Sequence, residues 1–145
     1  MLKLYFIKIL WAILFIVWAF LIAIISVLPD SGGIIEQSVS EFRWDYLEHF
    51  LGYFILGILY ILWRSNRDFK INIIELTLFL VIGSLFGWIA EYIQIFIPGR
   101  TFNIIDLLYN LVGIITGTLL GYFLVVRLLI RRNFSGSQEI KGLTE

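Results

Sequence analysis

Residues 72–129 read NIIELTLFLVIGSLFGWIAEYIQIFIPGRTFNIIDLLYNLVGIITGTLLGYFLVVRLL. Two apolar runs are joined by Pro98-Gly99-Arg100. At about 1.5 Å per helical residue, each run is long enough to cross a hydrocarbon layer of about 30 Å. Proline cannot continue a helix and glycine accepts positive φ, so the pair predicts a tight turn, and the stretch predicts two membrane-spanning helices folded back on each other.

Working outward, two more apolar runs precede this pair. The expected spans are residues 4–28, 45–63, 72–97 and 103–129, giving an all-α, four-helix transmembrane bundle within a single domain, residues 1–132. Residues 133–145, rich in Ser, Gly and Gln, are expected to form a flexible tail. The first run resembles the start of a signal peptide. It is too long for one and has no clear small-residue cleavage site before Pro29, so it is expected to be a retained anchor.

Composition agrees. Of 145 residues, 60% are hydrophobic and 15% charged, more apolar surface than a soluble domain of this size could hide. Four spans with short loops leave no room for a separate soluble catalytic domain. A net charge of zero argues against a nucleic-acid binder. With no cysteine, disulfide and thiolate chemistry are excluded.

The charges are sorted by side. Lys3, Lys8, Arg64, Arg67, Lys70, Arg127, Arg131, Arg132 and Lys141 fall at one set of span ends, Arg43 and Arg100 at the other. By the positive-inside rule both termini are expected in the cytoplasm, and the acid-rich end faces outward. That outer end gathers Asp30, Glu36, Glu41, Asp45, Glu48, Glu91 and Asp106. Trp44 and Trp63 fall near opposite interfaces, as belt aromatics do.

A polar side chain within a span needs a partner, a watery cavity or a function. Asp45, Glu48, His49 and Tyr53 share a face of the second helix, Glu91 and Gln94 share a stripe with Gly83 and Gly87, and Asp106 and Asn110 run into Gly113, Gly117 and Gly121. Glycines four apart permit close backbone approach, so the third and fourth helices are expected to pack along these stripes. That contact would bring Glu91 and Gln94 beside Asp106 and Asn110, with Arg100 above them and His49 joining from the second helix. The stripes could equally serve contacts between chains, which leaves a homo-oligomer open.

Plainer roles compete. Asp45 with Glu48, and Asn103 with Asp106, have capping spacing. Glu91 could form an ion pair with Arg100 or a polar link between helices, His49 could be an interfacial residue bonded to a neighbouring helix, and Tyr53 suits packing. As the single histidine, His49 is also the natural proton carrier near neutral pH.

The segments Asp45-x-x-x-His49-Phe50-x-x-Tyr53-x-x-x-Gly57 and Glu91-x-x-Gln94-x-x-x-Pro98-Gly99-Arg100-x-x-x-x-x-Asp106-x-x-x-Asn110-x-x-Gly113-x-x-x-Gly117 resemble the VanZ-like family of bacterial membrane proteins. The resemblance covers about residues 45–121. It departs at Tyr46, where the family often has Lys; an anion held by that Lys would here fall to Arg100 or Arg43, or the contact is lost. The resemblance implies a cell-envelope role linked to reduced susceptibility to lipoglycopeptides such as teicoplanin. It implies Asp45, His49, Glu91, Gln94, Arg100, Asp106 and Asn110 as site residues.

Three functions are compatible with this set. A binding protein would hold a lipid-linked cell-wall precursor or the lipoglycopeptide through Asp45, Gln94, Arg100 and Asn110. An intramembrane enzyme acting on a lipid-linked phosphate- or sugar-bearing head group would use His49 or Glu91 as acid or base, Asp106 as orienter and Arg100 against developing charge. A proton-coupled carrier would relay protons through the acids and His49, although four spans without internal repeats fit it less well. The carboxylates could hold a divalent cation, but no ligand spacing identifies one, and no cofactor is implied.

Overall fold

Asn72 and Asn103 start the two helices of the decisive stretch. Each turns its side-chain oxygen onto the amide two residues on, Ile74 and Ile105, at 3.0 Å. Such caps satisfy an amide that the helix leaves open and contribute about 0.5–2 kcal/mol. In the computed structural model, which describes residues 2–28, 44–65 and 71–142 (side chains over 5–28, 44–65 and 71–127), the helices are α1 (Leu2–Val27), α2 (Trp44–Arg64), α3 (Ile73–Gln94) and α4 (Ile104–Gly142). Among the described residues there is no strand. The expected stop at Pro29–Gly33, and Glu36, Glu41, Arg43, Arg67 and Lys70, lie outside the described residues, as do the side chains of Lys3, Arg131, Arg132 and Lys141.

All four helices are long and apolar enough to cross a membrane, over Tyr5–Val27, Trp44–Arg64, Ile73–Gln94 and Ile104–Arg127. Two ends differ from expectation. The third helix stops at Gln94, three residues early, because the chain tightens into i→i+3 bonds from Ile95, Phe96 and Ile97 to Tyr92, Ile93 and Gln94. Helical backbone in α4 continues to Gly142, into the stretch whose composition suggests a flexible tail; no proline follows Pro98 to stop it. The turn at Pro98-Gly99 is as expected. Arg100 N–H donates to Ile97 O at 3.1 Å and Gly99 has φ 84°, the positive angle that a turn with proline at its second position requires at its third.

Lipid-facing apolar residues dominate. Over an 18-residue window of each span, 11% of α1 is buried against 39% of α4, so α1 sits at the periphery and α4 at the centre. Trp18 of α1 donates from Nε1 to the Gly52 carbonyl of α2 at 2.8 Å.

The closest pair is α2 and α4, and here the expectation of glycine stripes joining the third and fourth helices is corrected. A β-carbon on Gly113 would lie 2.4 Å from Phe50 O, and one on Gly117 would lie 2.0 Å from Phe54 O, both on α2. Gly57 answers from α2, where a β-carbon would meet Thr118 N at 2.7 Å. The α3 glycines instead admit side chains: Ile114 of α4 fills the space at Gly83 and Tyr53 of α2 the space at Gly87. The reason is physical. Glycines on both α2 and α4 allow mutual backbone contact, which maximises dispersion where lipid offers no hydrophobic drive.

At the end where α2 finishes and α3 begins, Glu75 accepts from Tyr60 OH at 3.1 Å and from Arg64 Nε, while Tyr60 stacks on Phe79 at 3.6 Å. Thus Arg64, counted above only as a sidedness charge, also ties α2 to α3. Gly117→Ala is expected to separate α2 from α4 and destabilise the fold by at least about 1–3 kcal/mol. Gly121→Ala meets Ile61 Cβ at 3.1 Å and is expected to be milder. Thermal unfolding of the two variants in detergent micelles checks the order.

Candidate functional site

The α2–α4 contact sets the register of the opposite end. With Gly113 against Phe50, His49, the residue before Phe50, meets Asn110, nearly one turn before Gly113. His49 Nδ1 lies 3.1 Å from Asn110 Oδ1, while Nε2 lies 3.4 Å from Asp45 Oδ1 and 3.9 Å from Asp106 Oδ2. An amide oxygen accepts, so the ring carries its proton at Nδ1 and turns Nε2 toward the two carboxylates. Asp45, His49 and Asp106 each place one oxygen or nitrogen within 4.8 Å of the others.

Glu91 and Gln94 reach the same end from α3. Glu91 is wholly buried; its Oε1 accepts from Asn103 N–H at 2.8 Å, fastening the end of α3 to the start of α4. Its charge acts on His49 and feels Arg100. Gln94, Asp106 and Asn110 are each 3% exposed. By contrast the Asp45 side chain is 37% exposed and that of His49 is 13%, so the cluster is closed beneath and opens past Asp45.

Among the described residues, Glu91 Oε2, Gln94 Nε2 and Arg100 Nε are buried here without a hydrogen-bond partner. So is Tyr53 OH, one helical turn inward of His49 and lying at Gly87. Tyr53 packs in the core beside Phe86, as expected.

The plainer roles divide. Asn103 does cap α4, but the Asn103 amide goes to Glu91. Among the described residues no ion pair joins Glu91 to Arg100. Glu48 is exposed and turned away from the cluster, because positions three and four after Asp45 fall on opposite sides of it around the helix. Tyr46, at the position where the resemblance leads to expect Lys, stacks on Tyr109 with ring centroids 5.1 Å apart and planes at 2°, an aromatic wall across α2 and α4 in place of a cation. Tyr109 is absent from the expected set; no spacing rule pairs residues of two helices whose register is unknown.

A polytopic helical membrane protein with a buried polar cluster at one end is the class that these features define. The profile of the VanZ/LLP1 family matches residues 4–127, and the chain belongs to that family. No curated protein and no solved structure matches the chain.

Glu91→Gln retains an acceptor for Asn103 N–H and is expected to change stability little. Glu91→Leu leaves that amide unpaired and is expected to cost about 1–3 kcal/mol. Unfolding of both variants in one detergent, followed by tryptophan fluorescence, checks the difference.

Proposed function

We propose that the protein binds the polar head of a lipid-linked cell-wall precursor at the outer face of the cell membrane, and that this occupancy reduces susceptibility to lipoglycopeptides such as teicoplanin. The observation that carries the reading is the set of buried, unpartnered groups of opposite character: an acceptor at Glu91 Oε2 and donors at Gln94 Nε2 and Arg100 Nε. Groups of this kind cost about 1–3 kcal/mol each when left unmade, and more when charged. A head group bearing hydroxyls and phosphate supplies both missing partners. Arg100 would take the phosphate, Gln94 and Asn110 would meet sugar oxygens, and Glu91 and Asp45 would accept from hydroxyls.

Charge sidedness supports the outward orientation. Lys8, Arg64 and Arg127 mark one end of the spans and Arg100 the other. A lipid-linked ligand fits the setting because its tails deliver the head group at membrane depth, from the side, to a cluster between helix ends. Membership of the VanZ/LLP1 family fits an envelope role.

A second reading has an observation of its own. His49, bonded at Nδ1 and flanked at Nε2 by two carboxylates, is built as an acid–base group. As an enzyme on a phosphate-bearing head group, His49 Nε2 would accept a proton from the attacking water and return it to the leaving oxygen, Asn110 would hold the ring at Nδ1, Asp106 would stabilise the imidazolium formed in between, and Arg100 would stabilise the charge developing on phosphate.

The test is teicoplanin susceptibility of a sensitive Gram-positive host expressing the wild-type chain, Glu91→Gln or Arg100→Ala, with membrane abundance measured in parallel. Protection by the wild type that both variants lose at equal abundance is expected. No protection by an abundant wild type contradicts the resistance role. Turnover of a purified lipid-linked substrate replaces binding with the enzymatic reading, and capture of the drug by the purified protein replaces the precursor as ligand.

A further inference from the structure

Three atoms from two helices converge at His49. A divalent ion bound tetrahedrally at about 2.0–2.2 Å holds its nitrogen and oxygen ligands roughly 3.3–3.5 Å from one another. His49 Nε2 lies 3.4 Å from Asp45 Oδ1 and 3.9 Å from Asp106 Oδ2, and the three lie within 4.8 Å of one another. A small rotation of one carboxylate closes the triangle. Asn110 Oδ1, by accepting at Nδ1, directs the Nε2 lone pair toward that triangle, as outer partners of metal-bound histidines do.

An independent observation comes from α3. Glu91 is wholly buried, its Oε2 has no partner, and its charge bears on both His49 and Asp45. Glu91, Gln94 and Asp106 close the site at its base, and a carboxylate oxygen buried within a span without a donor is costly. A metal-bound water gives Glu91 Oε2 that donor. Asp45, more exposed than His49 and Asp106, provides the way in.

We propose that Asp45, His49 and Asp106 bind one divalent transition-metal ion, zinc in preference to manganese, with the free oxygen of Glu91 beside it to accept from a metal-bound water. One nitrogen and two carboxylates select against magnesium and calcium, which take all-oxygen ligand sets. The inference concerns the same pocket as the head-group reading but does not depend on it.

The full chain, purified in detergent and stripped with chelator, is equilibrated with Zn2+ alone and then with Mn2+ alone, and bound metal per chain is measured by elemental mass spectrometry. About one zinc per chain is expected, with manganese held more weakly. His49→Ala and Asp106→Asn are expected to abolish stoichiometric zinc, and Asn110→Ala to weaken it roughly 10–100-fold. Asp45→Asn, at the open edge, gives the same answer if a buried variant fails to fold, which far-ultraviolet circular dichroism detects. Glu48→Gln, an exposed neighbour, is expected to keep the metal. Substoichiometric zinc in the folded wild type, or zinc retained equally by folded Asp45→Asn, overturns the proposal. Zinc binding without protection from teicoplanin removes the resistance role and leaves this inference; protection without zinc binding does the reverse.

Discussion

The contact between the backbones of α2 and α4 is the constraint on which the rest depends. Where Gly113 and Gly117 lie on the carbonyls of Phe50 and Phe54, no side chain separates the helices. Helix association in lipid is driven by packing and polar contacts rather than by expulsion of water, so close approach is what stabilises the pair. It also fixes register. Once Gly113 is level with Phe50, His49 has only one place to go, between Asp45 on its own helix and Asp106 and Asn110 on the next. The apolar middle of the bundle and the polar end are thus consequences of one interface.

The two ends of that interface solve the same problem differently. At the Arg64 end, Glu75 is matched by an exposed guanidinium and a buried phenol. At the His49 end, polar groups are more deeply buried and less fully matched: Glu91 uses one oxygen on the Asn103 amide and leaves the other without a donor. Burial without satisfaction is costly within a span, since lipid provides no compensation. α3 contributes to both ends while touching the centre mainly through Ile114 and Tyr53, which occupy the room left by its glycines.

Much of this was legible in the residues. Span lengths follow from apolar runs against the thickness of a bilayer, and Pro98-Gly99 and the two capping asparagines are local signals that need no tertiary context. The gathering of Asp45, His49, Glu91, Gln94, Asp106 and Asn110 at one end followed from counting along helices. What the pattern did not contain was which helix faces which. Glycine stripes on three helices allow several pairings, and the one formed depends on the complementarity of whole surfaces, with Gly57 meeting Thr118. The same ignorance of register hid the Tyr46–Tyr109 stack and the Glu75–Arg64 link. Helical angle, taken more finely, would have separated Glu48 from His49.

The most direct measurement of the central claim is a proximity test across α2 and α4. Because the chain has no cysteine, Tyr46→Cys and Tyr109→Cys can be introduced together as the only thiols. With the native rings stacked at 5.1 Å, a short bismaleimide is expected to join the two positions within one chain in intact membranes, in high yield and independently of protein concentration. A pair in which both thiols react singly with maleimide yet are not bridged would contradict the α2–α4 register, and with it the site built on that register.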